Sequence, residues 1–313
     1  MKQVLRRLLA GELTEDQAVA ELRRIQLDEL DGRARLDLGR FLRRGVPEVI
    51  LATGKAPADA ARLAVAMAGR QGQGLVSRMT PAHAAALQEA ASEARMQLTA
   101  YAASARVLRR GYAPEAVDGK VGILTAGTSD LAAAEEAQMV VEACGLEARL
   151  DADLGVAGLH RFVGPLAATL EWGADVIIVA AGMDGVLPGL VAGLIDLPVI
   201  GLPVSTGYGR GGAGEAALTT MLQSCSTGLL VVNIDNGVGA GSAAVLIAQR
   251  RLRGRKEATA APSSAPTIST PNKAGAIERH TSTPPGMAKV RPRTSSAKST
   301  PASSQGKPRR RRP

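Results

Sequence analysis

The residues best suited to chemistry lie in the stretch 222–244, LQSCSTGLLVVNIDNGVGAGSAA. Cys225, one of two cysteines in the 313-residue chain, precedes a short apolar run, 229–232. Asn233, Asp235 and Asn236 follow, then Gly237, Gly239 and Gly241. Two readings fit. In one, a nucleophilic thiol ends an element, a buried strand follows, and a glycine-rich loop without Cβ atoms brings bare backbone to a ligand. In the other, Cys225 is a small core hydrophobe beside an ordinary strand and turn.

Three other segments carry polar groups at the ends of apolar runs. Thr125, Gly127, Thr128, Ser129 and Asp130 join a strand pattern to a helix pattern. Free amides at such a junction attract anions, and the hydroxyls add donors. No Lys-Ser/Thr pair makes it a Walker loop. Asp151 and Asp153 lead through GVAGLHR to His160 and Arg161, a pair suited to anion contact or to capping a loop. Gly182, Met183 and Asp184 in AAGMDGVLPG set one carboxylate among small residues.

The elements that must position these groups fall into two patterns. From 119 to 250, strands are predicted at 121–125, 147–150, 176–181, 198–201 and 229–233. They alternate with helices at 131–143, 165–171, 187–194, 215–222 and 241–251. Near-continuous apolar strands separated by helices predict a parallel sheet covered on both faces. Right-handed crossovers make it an α/β doubly wound, flavodoxin-like domain, with its ligand site beyond the carboxyl ends of the strands.

The first half reads as a small α+β domain. Two helices occupy 4–10 and 18–25, the second opened by a Thr14–Gln17 capping box. A strand at 49–51, helices at 58–67 and 82–94, and a strand at 75–78 follow. Pro81 occupies the first position of the second of these helices. Residues 96–109 read as one or two strands. His83 reads as a surface or packing histidine. Arg40, Arg43 and Arg44 form a solvated face or a phosphate contact. The expected domains are 1–117, 118–253 and a disordered tail at 254–313.

The net charge of +9 misleads about partners. Residues 253–313 hold 14 Lys/Arg against 2 Asp/Glu, whereas 1–252 hold 24 against 27. The basicity belongs to the Ser/Thr/Pro-rich tail, whose low apolar content cannot offset chain entropy. The slightly acidic body argues against a specific nucleic-acid surface. Two cysteines cannot build a disulfide framework. The amino terminus lacks a signal-peptide pattern. The apolar region 176–204 is broken by Asp, Gly and Pro, so no membrane span is expected. A soluble, cytoplasmic protein follows.

The segments AGTSD, GVAGLHR, AGMDGVLPGLVAGLIDLPVIGLPV and NIDNGVGAGSAA resemble the aminoimidazole ribonucleotide carboxylase and mutase family. Aligning Leu187-Pro188-Gly189 puts Val186 where that family has its catalytic histidine, and valine cannot carry a proton. A closer resemblance runs over roughly 5–250. It rests on Gly45-Val-Pro47-Glu48-Val49-Ile50 with Gly54-Lys55, GVAGLHR, AGMDG, and Ser224-Cys225-Ser226 before VVNIDNG. These resemble the pyridinium biscarboxylic acid mononucleotide synthases, which act first in nickel-pincer nucleotide cofactor biosynthesis. Asp184 stands where many relatives have glutamate.

That resemblance implies a carboxylase and hydrolase. Its substrate would be nicotinic acid adenine dinucleotide, with CO2 or bicarbonate as carbon source, release of AMP, and magnesium assistance. It implies Cys225 as nucleophile and Asp184, then Asp153, as the base that removes the ring proton. His160, Arg161 and the 125–130 loop would hold phosphates, with Asp130 also on magnesium. Gly182, Met183, Asn233, Asp235, Asn236 and Gly237 would complete substrate contacts. Cys144 reads as structural. The related carboxylases imply a homo-octamer. The competing readings are a purine-type carboxylase or mutase that does not need Cys225, and a non-catalytic nucleotide-binding protein.

Overall fold

A computed structural model describes residues 2–22, 27–30 and 34–260. The chain opens with α1 (Lys2–Leu9) and α2 (Glu15–Leu22). Gln17 N–H donates to Thr14 Oγ1 at 3.2 Å and Thr14 N–H to Gln17 Oε1 at 2.9 Å. This reciprocal cap satisfies two of the donors a helix start leaves free. The expected end of this helix, 23–25, lies outside the described residues. A hairpin of β1 (Leu27–Leu30) and β2 (Ala34–Asp37) and the short α3 (Arg40–Arg44) follow.

Next come β3 (Val49–Leu51), α4 (Pro57–Gln71), β4 (Gln73–Ser77), α5 (Pro81–Glu93), β5 (Gln97–Ala100) and β6 (Ala105–Leu108). They form a mixed sheet in the order β3-β4-β6-β5, with only β3 and β4 parallel. The undecided stretch 96–109 is thus two antiparallel strands. His83 is buried and serves packing: its Nδ1 meets Thr80 Oγ1 at 2.7 Å and its Nε2 meets Lys55 O at 3.1 Å. Of the arginine cluster, Arg43 pairs with Asp37 at 2.6 Å. Arg40 and Arg44 border a cavity of about 170 Å³ with Glu48 and Ser242.

The second sheet contains β7 (Lys120–Thr125), β8 (Glu147–Asp151), β9 (Val176–Ala181), β10 (Val199–Pro203) and β11 (Leu229–Val231). All its pairings are parallel, in the order β11-β10-β9-β7-β8. This is the doubly wound flavodoxin-like order, whose direction reverses between β7 and β9. Its helices are α6 (Leu131–Ala143), α7 (His160–Glu171), α8 (Leu187–Leu194), α9 (Glu215–Leu222) and α10 (Gly237–Ala260). One core joins α6 and α10 to one face of the sheet; another joins α7, α8 and α9 to the opposite face.

The alternation of a strand links the two sheets. In β4, Leu75 points into the α6–α10 core, while its neighbour Val76 points into the α4–α5 core. Helices α6 and α10 are therefore covered on one side by the parallel sheet and on the other by the mixed sheet. Polar ties reinforce this: Tyr101 Oη donates to Glu142 at 2.6 Å, and Gln73 Nε2 donates to Ala143 O at 2.8 Å.

Several boundaries differ from the sequence expectation, three of them in α7 and α10. Helix α7 begins at His160, five residues early, with Pro165 inside it. Helix α10 begins at Gly237 and takes in all three glycines expected in a loop. It continues to Ala260, so 254–260 are helical where a disordered tail was expected. The rest of that tail lies outside the described residues.

Candidate active site

A cavity of about 590 Å³ opens at the carboxyl ends of β7, β9 and β10, where a parallel sheet's reversal of strand order leaves a crevice. Gly127, Ser129, Asp130, Gly182, Met183 and Asp184 line it, as do Val186 and Leu187 at the start of α8. Residues 155–157 close one side, and Thr206, Gly207 and Tyr208 close the other.

The floor is fixed by Asp130, which is 3% exposed. Its Oδ2 accepts Gly127 N–H at 2.9 Å, and its Oδ1 accepts Thr206 Oγ1–H at 2.8 Å. Thr206 O accepts Met183 N–H at 2.9 Å. The loops after β7, β9 and β10 are thereby locked together. Met183 sits at φ 50°, a left-handed conformation that costs a side-chain-bearing residue energy and persists only where its surroundings hold it. Asp184, next along, is exposed at the cavity rim.

The remaining expected site residues are distributed around this cavity. Thr125 lies beneath it, fully buried; its hydroxyl donates to Gly127 O at 2.9 Å and accepts Asp153 N–H at 3.4 Å. Thr128 is exposed and not among the lining residues. Asp153, at φ 63°, pairs with Arg161 at 3.4 Å beyond β8, with both side chains more than half exposed. Its neighbour His160 is also exposed. None of these three lines the cavity.

The segment after β11 has other occupations. Asp235 Oδ1 accepts Ser205 N–H at 2.8 Å, and its carbonyl accepts from Arg78 at 2.7 Å. Asn233 and Asn236 cap nearby amides, those of Ile234 and Gly239. Val238 N–H donates to buried Glu136 of α6 at 3.1 Å. A Cβ on Gly237 would lie 2.3 Å from Ala133 O, and one on Gly241 would lie 2.6 Å from Ala137 O. These glycines bring α10 against α6, correcting the expectation that they bare a backbone to a ligand.

Cys225 is exposed, not a core residue. It stands on the connection from α9 to β11. Ser226 Oγ beside it donates to Gly189 O of α8 at 2.7 Å. It is not among the residues that line the cavity of its own chain. On the elements that this connection joins, Leu222 of α9 is 63% exposed and Leu230 of β11 50%. Cys144, by contrast, is buried in the α6–α10 core, where desolvation pushes its thiol up to about 12.

Both oxygens of Asp130 hold donors of the fold, and among the described residues no group of three acidic, histidine or cysteine side chains is placed to hold a metal. No step below is routed through a metal.

Sequence reasoning overlooked Thr206, Gly207 and Tyr208. The signal was present as five glycines in the eight residues 207–214, between a strand and a helix.

The fold defines a doubly wound α/β protein with a cavity at the reversal point of its parallel sheet. A family model described as AIR carboxylase matches residues 120–276, and one described as LarB/PurE-like N-terminal domain matches 27–117. An uncharacterized protein of Methanocaldococcus jannaschii is 37% identical over 76% of this chain and 93% of its own length. The N5-carboxyaminoimidazole ribonucleotide mutase of Thermotoga maritima is 29% identical over 41% of this chain and 74% of its own. A crystal structure of a Treponema denticola PurE2 variant covers 46% of this chain and 96% of its own at 20% identity and TM-score 0.33. The chain belongs to the AIR carboxylase family, in the form that carries a LarB/PurE-like N-terminal domain. Among the described residues no helix is long and apolar enough to cross a membrane.

Proposed function

We propose that this protein carboxylates the pyridinium ring of nicotinic acid adenine dinucleotide and cleaves its phosphoanhydride, releasing AMP and a pyridinium biscarboxylic acid mononucleotide. The observation that carries this reading is the titratable content of the cavity. Among the described residues its lining holds Asp130, Asp184 and Tyr208, and no histidine. Asp130 is tied into the loops, which leaves Asp184 as the carboxylate free to act as a base. Val186 occupies the place of the proton-carrying histidine that purine-type carboxylation uses.

A cationic ring cannot attack CO2 unaided. The Cys225 thiolate adds to the ring carbon next to nitrogen, and the ring π-electrons move so that nitrogen becomes neutral. The neighbouring carbon is then enamine-like and forms a bond to CO2. Asp184 removes the proton from that carbon. The nitrogen lone pair restores the aromatic ring as the C–S bond breaks, returning the thiolate. Splitting one difficult substitution into addition and elimination is covalent catalysis. Water cleaves the phosphoanhydride in a separate step.

Cys225 reaches a cavity in this reading through assembly: the thiol of one copy completes the site of a neighbouring copy. Exposed Leu222 and Leu230, on the two elements that Cys225 connects, support a covered face, since exposed apolar side chains grouped together mark association sites. The octamer implied by the sequence resemblance would provide the neighbour. Magnesium, if required, would arrive on the substrate's phosphates.

The test incubates the protein with nicotinic acid adenine dinucleotide, magnesium and bicarbonate. AMP and the dicarboxylated mononucleotide are expected, and Cys225→Ala should yield neither. Turnover of aminoimidazole ribonucleotide by Cys225→Ala would instead establish the purine-type reaction.

A further inference from the structure

Tyr208 is a large aromatic side chain left 82% exposed while lining a cavity. Among the described residues it is the only aromatic in that lining, and none of them there is a lysine, arginine or histidine. The walls therefore present two carboxylates, Asp130 and Asp184, and one aromatic face. An aromatic face is the negative side of the ring quadrupole and attracts cations. The whole inventory favours a positively charged ligand group over a neutral or anionic one.

Glycines flank this ring on both sides. One end of its loop is pinned by Thr206, through Asp130 and Met183. The other is pinned at Gly214, whose carbonyl accepts Leu218 N–H at 2.9 Å and whose added Cβ would strike Ile234 at 2.7 Å. Between the pins, Gly207 (φ 153°) and Gly209 (φ 75°) flank Tyr208 in conformations that side chains rarely adopt. A Cβ on Gly209 would meet nothing within 4 Å.

We infer that Tyr208 folds over the cavity and stacks on a positively charged heteroaromatic ring, selecting the cationic form of the substrate ring over its neutral, reduced form. This rests on the proposed pyridinium substrate and names how the site recognises it. The attraction is strongest before thiolate addition, because addition neutralises the ring. Its loss should therefore raise KM without lowering kcat.

The experiment measures binding of nicotinic acid adenine dinucleotide, its dihydropyridine form and AMP to the full chain, and steady-state turnover of the first. Tyr208→Leu should weaken binding of the cationic dinucleotide, and raise its KM, by about tenfold. It should change binding of the dihydro form and of AMP by less than about twofold. Tyr208→Phe, which keeps the ring face, should match wild type. An equal loss for all three probes, no loss for any, or a Tyr208→Phe defect as large as that of Tyr208→Leu overturns the inference. So does a changed oligomeric state in Tyr208→Leu, which would make the ring a contact between copies. If wild type turns over the dinucleotide and Tyr208→Leu does so with unchanged KM, the inference alone falls. If wild type neither binds nor converts it, the inference falls together with the proposed substrate.

Discussion

Thr206 and Asp130 are joined by a 2.8 Å hydrogen bond that passes over the strand between them. Asp130 follows β7, Thr206 follows β10, and β9 lies between. The bond is possible because the residue that follows β9 is Gly182. A Cβ there would stand 2.3 Å from Thr206 Oγ1 and 3.2 Å from Asp130 Oδ1. Gly182→Ala should destabilise the fold by about 1–3 kcal/mol through overpacking. Thr206→Val should cost about 1.5–3 kcal/mol through the lost charged hydrogen bond. Denaturant titrations measure both, and unchanged midpoints would deny the lock.

The two cysteines should separate chemically. Burial raises the Cys144 thiol to about 12, whereas Cys225 is exposed. The thiolate is the reactive form. At about pH 8 a thiol reagent should label one sulfur per native chain and a second only after unfolding. Peptide mapping should find the first on Cys225, and nicotinic acid adenine dinucleotide should slow its labelling.

If neighbouring copies share each site, two inactive variants should rescue one another. Cys225→Ala and Asp184→Asn, dissociated and reassembled together, should regain about a quarter of wild-type activity. That is the fraction of sites pairing an intact thiol with an intact carboxylate when covalent catalysis needs both. Mixing without reassembly should regain none. Failure of co-assembled hybrids to recover would place both groups on one chain.

Helix packing predicts damage remote from the cavity. Gly241→Ala drives a methyl to 2.6 Å from Ala137 O, a backbone atom of α6 that cannot turn aside. A loss of about 1–3 kcal/mol is expected in chemical denaturation. Gly254→Ala, later in the same helix with nothing within 4 Å, should be neutral or slightly stabilising.

Glu136 gives stability a pH dependence. Burial raises its pKa from 4.5, partly offset by Val238 N–H, the charge of Arg78, Gly237 N–H and Ser77. An acid raised by folding contributes fully below its unfolded value, and that contribution is lost as pH rises through the folded value. The stability of wild type relative to Glu136→Gln should therefore fall as pH increases from about 4 upward. Urea titrations across that range read the difference; a rising difference would reverse the assignment.

The elements of the second half were largely legible. Helices 131–143, 187–194 and 215–222 and strand 176–181 end where the structure ends them. Apolar runs buried on both faces admit little besides parallel strands covered by helices. The cavity was legible in part. Gly127, Ser129, Asp130, Gly182, Met183 and Asp184 follow β7 and β9, the strands that flank the reversal of the sheet. Glycine proved ambiguous. Gly182 serves the site and Gly237 a helix contact, because a missing Cβ permits close approach without saying what approaches.

The amino-acid sequence alone determined the alternating elements, the family, and the supply of one thiol and a few carboxylates at strand ends, since these follow from local periodicity and residue type. Only the tertiary structure decided that Asp130 is a brace, that Tyr208 stands at the rim, and that Cys225 is exposed and outside the lining of its own cavity. The order in which strands pair sets which loops become neighbours, and that order arises from packing across the whole sheet, not from any stretch of chain.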